Sequence, residues 1–221
     1  MNELIFLGQV LAVVGATFVA YKLGKEALVA LSVLLAIVAN LFVLKQTTLF
    51  SFNVTCSDAF AIGSIFGLNL LQQKWGKPIA KKTIWISFFA MAFFVVVSQI
   101  HLLYTPSRFD ESHGHFAYLL SYAPRILLAS ITAFFITQQL DVRLFGLLQK
   151  TPLSWKNRST ISLLISQAVD TSLFTFLGLY GVVQELGSIM GVSYVVKCAV
   201  IGLTALLTRV WNPQPEQADE V

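Results

Sequence analysis

The stretch from Ile84 to Tyr104, IWISFFAMAFFVVVSQIHLLY, decides the fold class because it holds no Asp, Glu, Lys or Arg. A bilayer core about 30 Å thick is crossed by roughly 20 residues of helix. Only helices and closed barrels satisfy every backbone group in lipid, and barrel strands would alternate in polarity over about ten residues. Ile84–Tyr104 does not alternate, so it reads as a membrane helix. Comparable runs lie on either side of it: Leu4 to Tyr21, Ala27 to Leu44, Asn53 to Gln72, Ala117 to Leu140, Thr160 to Val182 and Ser193 to Val210. The expected fold is therefore an all-α polytopic transmembrane helix bundle of about seven spans, or six if the first is peripheral. Residues 1–211 form a single transmembrane helical domain in this reading. Asn212–Val221 is polar and acidic and is expected to be a disordered cytoplasmic tail.

Composition agrees. Of 221 residues 56% are hydrophobic and only 12% are charged, against about 25% charged in soluble domains. The basic residues then orient the bundle. With the N-terminus outside, the inner loops hold Lys22, Lys25, Lys74, Lys77, Lys81, Lys82, Arg143, Lys150, Lys156, Arg158 and Arg209. The outer loops hold Lys45 and Arg108, and the spans hold Arg125 and Lys197. Basic residues collect on cytoplasmic loops, so the C-terminus is placed in the cytoplasm. The net charge of +4 is explained by topology and by contact with membrane lipids, and no nucleic-acid module stands outside the spans.

Shorter features carry less. The acidic start Met1-Asn2-Glu3 argues for a retained first helix rather than a signal peptide. Cys56 and Cys198 lie in separate runs and read as packing residues. Gly63 and Gly67 form a small-xxx-small pair suited to close helix approach, and Gly187 and Gly191 form another in an expected outer loop.

Polar side chains inside the spans are the functional candidates. A charge in lipid is costly and usually faces a partner or a water-filled cavity. Arg125, Asp170 and Lys197 all fall between the midplane and the outer surface, at about 1.5 Å of rise per residue. They are expected to line one pocket. The plainer alternatives are an Arg125–Asp170 pair that pins the bundle and a Lys197 that reaches to the head groups. Gln167, Asp170 and Phe174 share one helix face. An amide, a carboxylate and an aromatic ring on one stripe suit a planar heteroaromatic ligand. Asn69 and Gln73 make a similar pair near the cytoplasmic end of the third run.

Several pieces taken together resemble the queuosine-precursor transporter family, also called the vitamin uptake transporter family. They are Ala39-Asn40-Leu41-Phe42-Val43-Leu44-Lys45, Gly63-Ser64-Ile65-Phe66 and Lys74-Trp75-Gly76-Lys77. Then come Pro124-Arg125-Ile126-Leu127-Leu128-Ala129-Ser130, Gln138-Gln139-Leu140-Asp141 and Phe145. The last group is Ser159-Thr160, Gln167, Asp170-Thr171-Ser172 and Phe174. The resemblance spans roughly residues 30–205. Two places depart from the family pattern: Asn69 stands where members often carry Asp, and Gln72-Gln73 where they often carry Asn-Glu. A cationic amine on the substrate would lose an acidic partner there.

The resemblance implies a multi-pass protein of the bacterial inner membrane that imports a 7-deazaguanine-type base such as preQ0, preQ1 or queuine for tRNA modification. Its substrate-binding set would be Arg125, Gln167, Asp170, Phe174 and Lys197, with Asn40, Asn69, Gln73 and Gln138. Its partners would be that small planar base and membrane lipids, with no nucleic acid, cofactor, metal or catalytic residue. A homo-oligomer and a separate energising ATPase, with this chain as its substrate-binding subunit, both stay open. The chain lacks a G-x-x-x-x-G-K-[ST] loop of its own. The rival class is an intramembrane enzyme. It would rest on His101, His113 and His115 beside Asp110 and Glu111, without an H-E-x-x-H or G-x-S-x-G motif.

Overall fold

The computed structural model describes residues 1–148, 150–152 and 155–210. The expected tail Asn212–Val221 and the side chains of Gln73 and Gln138 lie outside the described residues. The chain is mostly helical: α1 (Asn2–Leu23), α2 (Lys25–Phe42), α3 (Asp58–Trp75), α4 (Lys77–Leu102), α5 (His113–Ser121), α6 (Ala123–Leu148), α7 (Trp155–Phe174) and α8 (Leu186–Val210). A π-helical turn, Thr175–Leu179, extends α7.

Among the described residues five segments are long and apolar enough to cross a membrane: Asn2–Leu23, Lys25–Phe42, Pro78–Leu102, His113–Thr137 and Ile161–Leu179. Their outward faces carry bare Leu4, Ile5, Leu11, Phe89, Phe93 and Val96. Apolar surface of this extent suits contact with lipid rather than water. The third expected run, now α3, is diluted by Asp58, Asn69 and Lys74. Among the described residues the apolar part of α8 is shorter, Leu186–Ala199.

Two boundaries differ from the sequence reading. The all-α expectation misses an antiparallel hairpin, β1 (Gln46–Leu49) with β2 (Phe52–Thr55), paired from Gln46↔Thr55 to Leu49↔Phe52. Residues 53–55 are therefore strand, not the start of the third helix. The segment is rich in Thr, Phe and Val, which favour strands, and Phe50 and Ser51 both take positive φ at its turn (49° and 68°), as a tight two-residue hairpin connection requires. The fifth run breaks at Tyr122 into α5 and α6.

Tight joints set the packing. Gly24 (φ 121°) separates α1 from α2, and Gly76 (φ 87°) separates α3 from α4. Both conformations are open to glycine and strained for side chains with a Cβ. Gly63 and Gly67 do let helices close in. A Cβ on Gly63 would run into Val13 and Leu35, and one on Gly67 would meet Ser32 Oγ at 2.5 Å. So α3 lies against both α1 and α2, and α1 is not peripheral: Val13, Thr17, Ala20 and Tyr21 are buried. Gly187 and Gly191 fall in the first turns of α8, not in a loop, and face open space.

Two cores result. One joins Ala20 and Tyr21 of α1 to Leu28 of α2 and Phe66, Leu70 and Leu71 of α3. The other joins Val43 and Leu44 to Ile126, Leu179, Val183 and Ile189. The hairpin is tied to the first turn of α1 by Asn2 Nδ2, which donates to Thr47 Oγ1 (3.0 Å) and to the Thr48 carbonyl (3.1 Å). It is also tied to the segment before α8, where the Gln184 N–H donates to Gln46 Oε1 (3.3 Å).

Candidate functional site

Beside the second core lies a cavity of about 160 Å³. A void of about 150 Å³ accepts benzene, so it takes one aromatic ring as it stands. A fused two-ring base needs some outward movement of its walls. Each wall follows from helical periodicity. On α7 and its π turn, Asp170, Thr171, Phe174 and Thr175 face it, spaced as one helix stripe. On α8 the stripe is Ile189, Ser193 and Lys197, four residues apart. Asn40 from α2, Ser130 from α6, and Thr55, Ser57 and Asp58 at the hairpin–α3 junction complete it.

The charges pair within this cavity. Lys197 Nζ donates to Asp170 Oδ2 at 2.8 Å, with the two side chains 14% and 25% exposed. Asp58 is 7% exposed, and both of its carboxylate oxygens lie near Ser193 Oγ, at 2.9 and 3.0 Å. Asn40 ties three helices together: its Nδ2 donates to the Ala36 carbonyl (2.8 Å) and approaches Met91 Sδ (3.0 Å), and its Oδ1 accepts from Ser130 Oγ (2.9 Å). Among the described residues two buried side-chain atoms are left over. Thr171 Oγ1 and Gln167 Oε1 are buried with no hydrogen-bond partner. An orphaned buried polar atom costs roughly 1–3 kcal/mol, so its persistence needs an explanation, and a ligand is one.

The expected site residues divide accordingly. Asp170, Phe174, Lys197 and Asn40 come together on the cavity. Gln167 lies one turn before Thr171 with its carbonyl oxygen buried, and is not among the lining residues. Asn69 sits eleven residues beyond Asp58 on α3, about 16 Å along the axis. Gln73 and Gln138 lie outside the described side chains.

Arg125 stands apart from these residues. It does not line this cavity, and the alternative Arg125–Asp170 pair does not form either. Its Nε donates to the Leu177 carbonyl (2.9 Å) and its Nη2 to the Tyr180 carbonyl (2.7 Å). A π turn and a helix end leave carbonyls without partners of their own, and the guanidinium fork takes two at once. Asp170 takes Lys197 as its cation instead.

Asp58, Ser193, Thr171 and Thr175 also line the cavity, in addition to the residues expected from sequence. The signal for Asp58 was present: it is a charge in an apolar run, the same sign that singled out Asp170. Ser193, Thr171 and Thr175 give no sign in sequence, because hydroxyls inside membrane helices often bond their own backbone. Thr17, Ser32, Thr83 and Ser87 do so here.

The histidine cluster does not assemble a metal site. Among the described residues no group of three or more His, Cys, Asp or Glu is placed to hold an ion. His101 packs edge-on to Tyr104 and Phe116. Asp110 Oδ1 accepts from the hydroxyl of Ser112 (2.7 Å) and the backbone N–H groups of Ser112 (2.8 Å) and His113 (3.1 Å). The Ser112 hydroxyl, then these N–H groups, hold its carboxyl below the usual carboxylate range. It caps the entry to α5.

Comparison with known proteins places these elements in context. The sequence pattern of the family described as "Putative vitamin uptake transporter" matches residues 58–210, the stretch from Asp58 to the end of α8. A protein of Bacillus subtilis (strain 168) named "Probable queuosine precursor transporter" is 32% identical over 149 residues. The aligned part is 64% of this chain and 65% of that relative's length. No solved structure matches the chain significantly.

Proposed function

The chain belongs to the vitamin uptake transporter family, and on that premise we propose that it imports a 7-deazaguanine-type base, a queuosine precursor such as preQ0, preQ1 or queuine, across the bacterial inner membrane. The observation that carries this reading is the Lys197–Asp170 ion pair, 2.8 Å long, on the wall of a small cavity beside an unpartnered Thr171 hydroxyl. A guanine-like edge offers adjacent N–H donors and a carbonyl acceptor. Asp170 accepts the N–H groups, Lys197 or Thr171 donates to the carbonyl, and Phe174 stacks on the ring. The relative's name points to the same substrate class.

In this reading α3 and α8 join the five apolar helices as the sixth and seventh spans, with the N-terminus outside. The tie between Asn2 and the hairpin supports the arrangement, because it groups the N-terminus with Thr47 and Thr48 at the end opposite the basic joints around Lys25 and Lys77. The cavity then lies toward the outer side, with Thr55 of the hairpin on its wall. Transport proceeds by alternating access: the walls part toward one side at a time around a fixed polar station.

The test uses cells unable to make deazaguanine bases. They are supplied with each base in turn, and queuosine is measured in their tRNA. Expression of the chain is expected to restore the modification, and Asp170→Asn to remove that rescue with membrane insertion intact. Equal rescue by Asp170→Asn would end the assignment of this site.

A further inference from the structure

Resting on the import reading, we infer that the cavity selects a cationic ligand: Asp58 forms a subsite for a primary ammonium group carried on a short arm of a planar base. The charge census is the starting point. Asp58, Asp170 and Lys197 all line the void, while Arg125 is committed to the Leu177 and Tyr180 carbonyls. With both carboxylates ionised, two negative charges share one positive charge. Lys197 is held by Asp170, and among the described residues no ion pair forms on Asp58. Its carboxylate shares a single hydroxyl, Ser193 Oγ, between its two oxygens. A carboxylate has about four acceptor positions, so most of its capacity is unused. A buried carboxylate without a cation is strongly disfavoured, and an incoming ammonium supplies what is missing.

A second observation points to a ligand independently of the charges. Thr171 is 4% exposed, lines the same void, and has no partner for its hydroxyl. The spacing also fits. Ser193, which holds Asp58, and Lys197, which holds Asp170, are one turn apart on α8, about 6 Å along the axis. Asp58 and Asp170 are therefore both presented along the one face of α8 that lines the cavity, which gives a ligand's ring edge and its arm separate carboxylates to meet.

The test is calorimetric titration of the full chain in lipid nanodiscs with three probes: 7-aminomethyl-7-deazaguanine, 7-cyano-7-deazaguanine and benzylamine. The amine-bearing base is expected to bind at least tenfold more tightly than the nitrile. Asp58→Asn is expected to collapse that ratio toward one. Lys197→Met, which leaves two carboxylates without a cation, is expected to raise it, and this variant keeps the test alive should Asp58→Asn fail to insert. A nitrile that binds as well as the amine overturns the inference and leaves the import reading standing. So does a preference that survives Asp58→Asn, or a ratio that stays level or falls in Lys197→Met. If neither deazaguanine binds but benzylamine does, dependent on Asp58, the ammonium subsite holds and the import reading falls. If no probe binds, both fall.

Discussion

Arg125 and Lys197 are both cations inside expected spans, yet the fold uses them in opposite ways. Arg125 is consumed by backbone: two carbonyls of the π turn and its end take its fork, and it is not among the residues that line the cavity. Lys197 is matched to one carboxylate beside a cavity that also holds a second carboxylate and an orphaned hydroxyl. The difference teaches that charge in a membrane helix marks a site only where its surroundings remain unsatisfied. A cation that closes the hydrogen-bond account of a helix end is architecture. One that leaves neighbours unpaired is the candidate for a ligand site.

The sharpest way to break this contrast is to neutralise each side in turn. Asp170→Asn leaves Lys197 without its counter-ion; removing one partner of a buried pair costs about 3–5 kcal/mol. Uptake is expected to fall by about 100-fold or more, read as base accumulation in whole cells. Arg125→Ala should instead show in stability. It loses two charge-assisted bonds of about 1.5–3 kcal/mol each, so the thermal midpoint in detergent drops while ligand affinity stays within a few-fold. If Arg125→Ala abolishes binding at unchanged stability, the contrast fails.

Thr171→Val sharpens the site side alone. It removes a hydroxyl that has no partner at nearly constant shape, so stability is expected to hold or rise by about 1 kcal/mol. Affinity is expected to weaken by about tenfold, since a bond worth about 1.4 kcal/mol is lost. An unchanged affinity would remove Thr171 from the site. The double change His113→Ala and His115→Ala should leave uptake within about twofold, as expected of a solvated loop; a large loss would revive a metal role. The smallest effect concerns Asp110. Its carboxyl is held below the usual range, so its cap is complete above the ordinary carboxylate pKa of about 3.9 and is lost as pH falls through the lowered folded value. Hydrogen exchange at His113 should speed up only on that acid side.

Much of the fold was legible because lipid imposes a simple rule. The seven apolar runs fall largely on a helix or a helix pair, with residues 53–55 and 180–182 among the exceptions, and the family resemblance read from Arg125, Gln167, Asp170 and their neighbours holds at the level of family. The hairpin was not legible, since Gln46–Thr55 is too short and too polar to stand out beside runs of span length. Around the cavity, the cost of burying charge singled out Asp170 and Lys197 in the sequence, but not their pairing with each other. Spacing along one helix shows which residues share a face. It does not show which face of another helix they meet, and the choice of Lys197 over Arg125 depends on that meeting.

By itself, then, the sequence determined that this chain is a bundle of membrane helices, because runs of apolar residues have no other stable state in lipid, and it set the family through ordered groups of polar residues. Only the tertiary structure decided which charges pair, that Asp58 joins Asp170 on one cavity, and that Arg125 serves the backbone. The physical reason is that hydrophobic length is a property of one segment, read along the chain. Pairing is a property of rotations and depths that α2, α3, α6, α7 and α8 settle jointly when they pack.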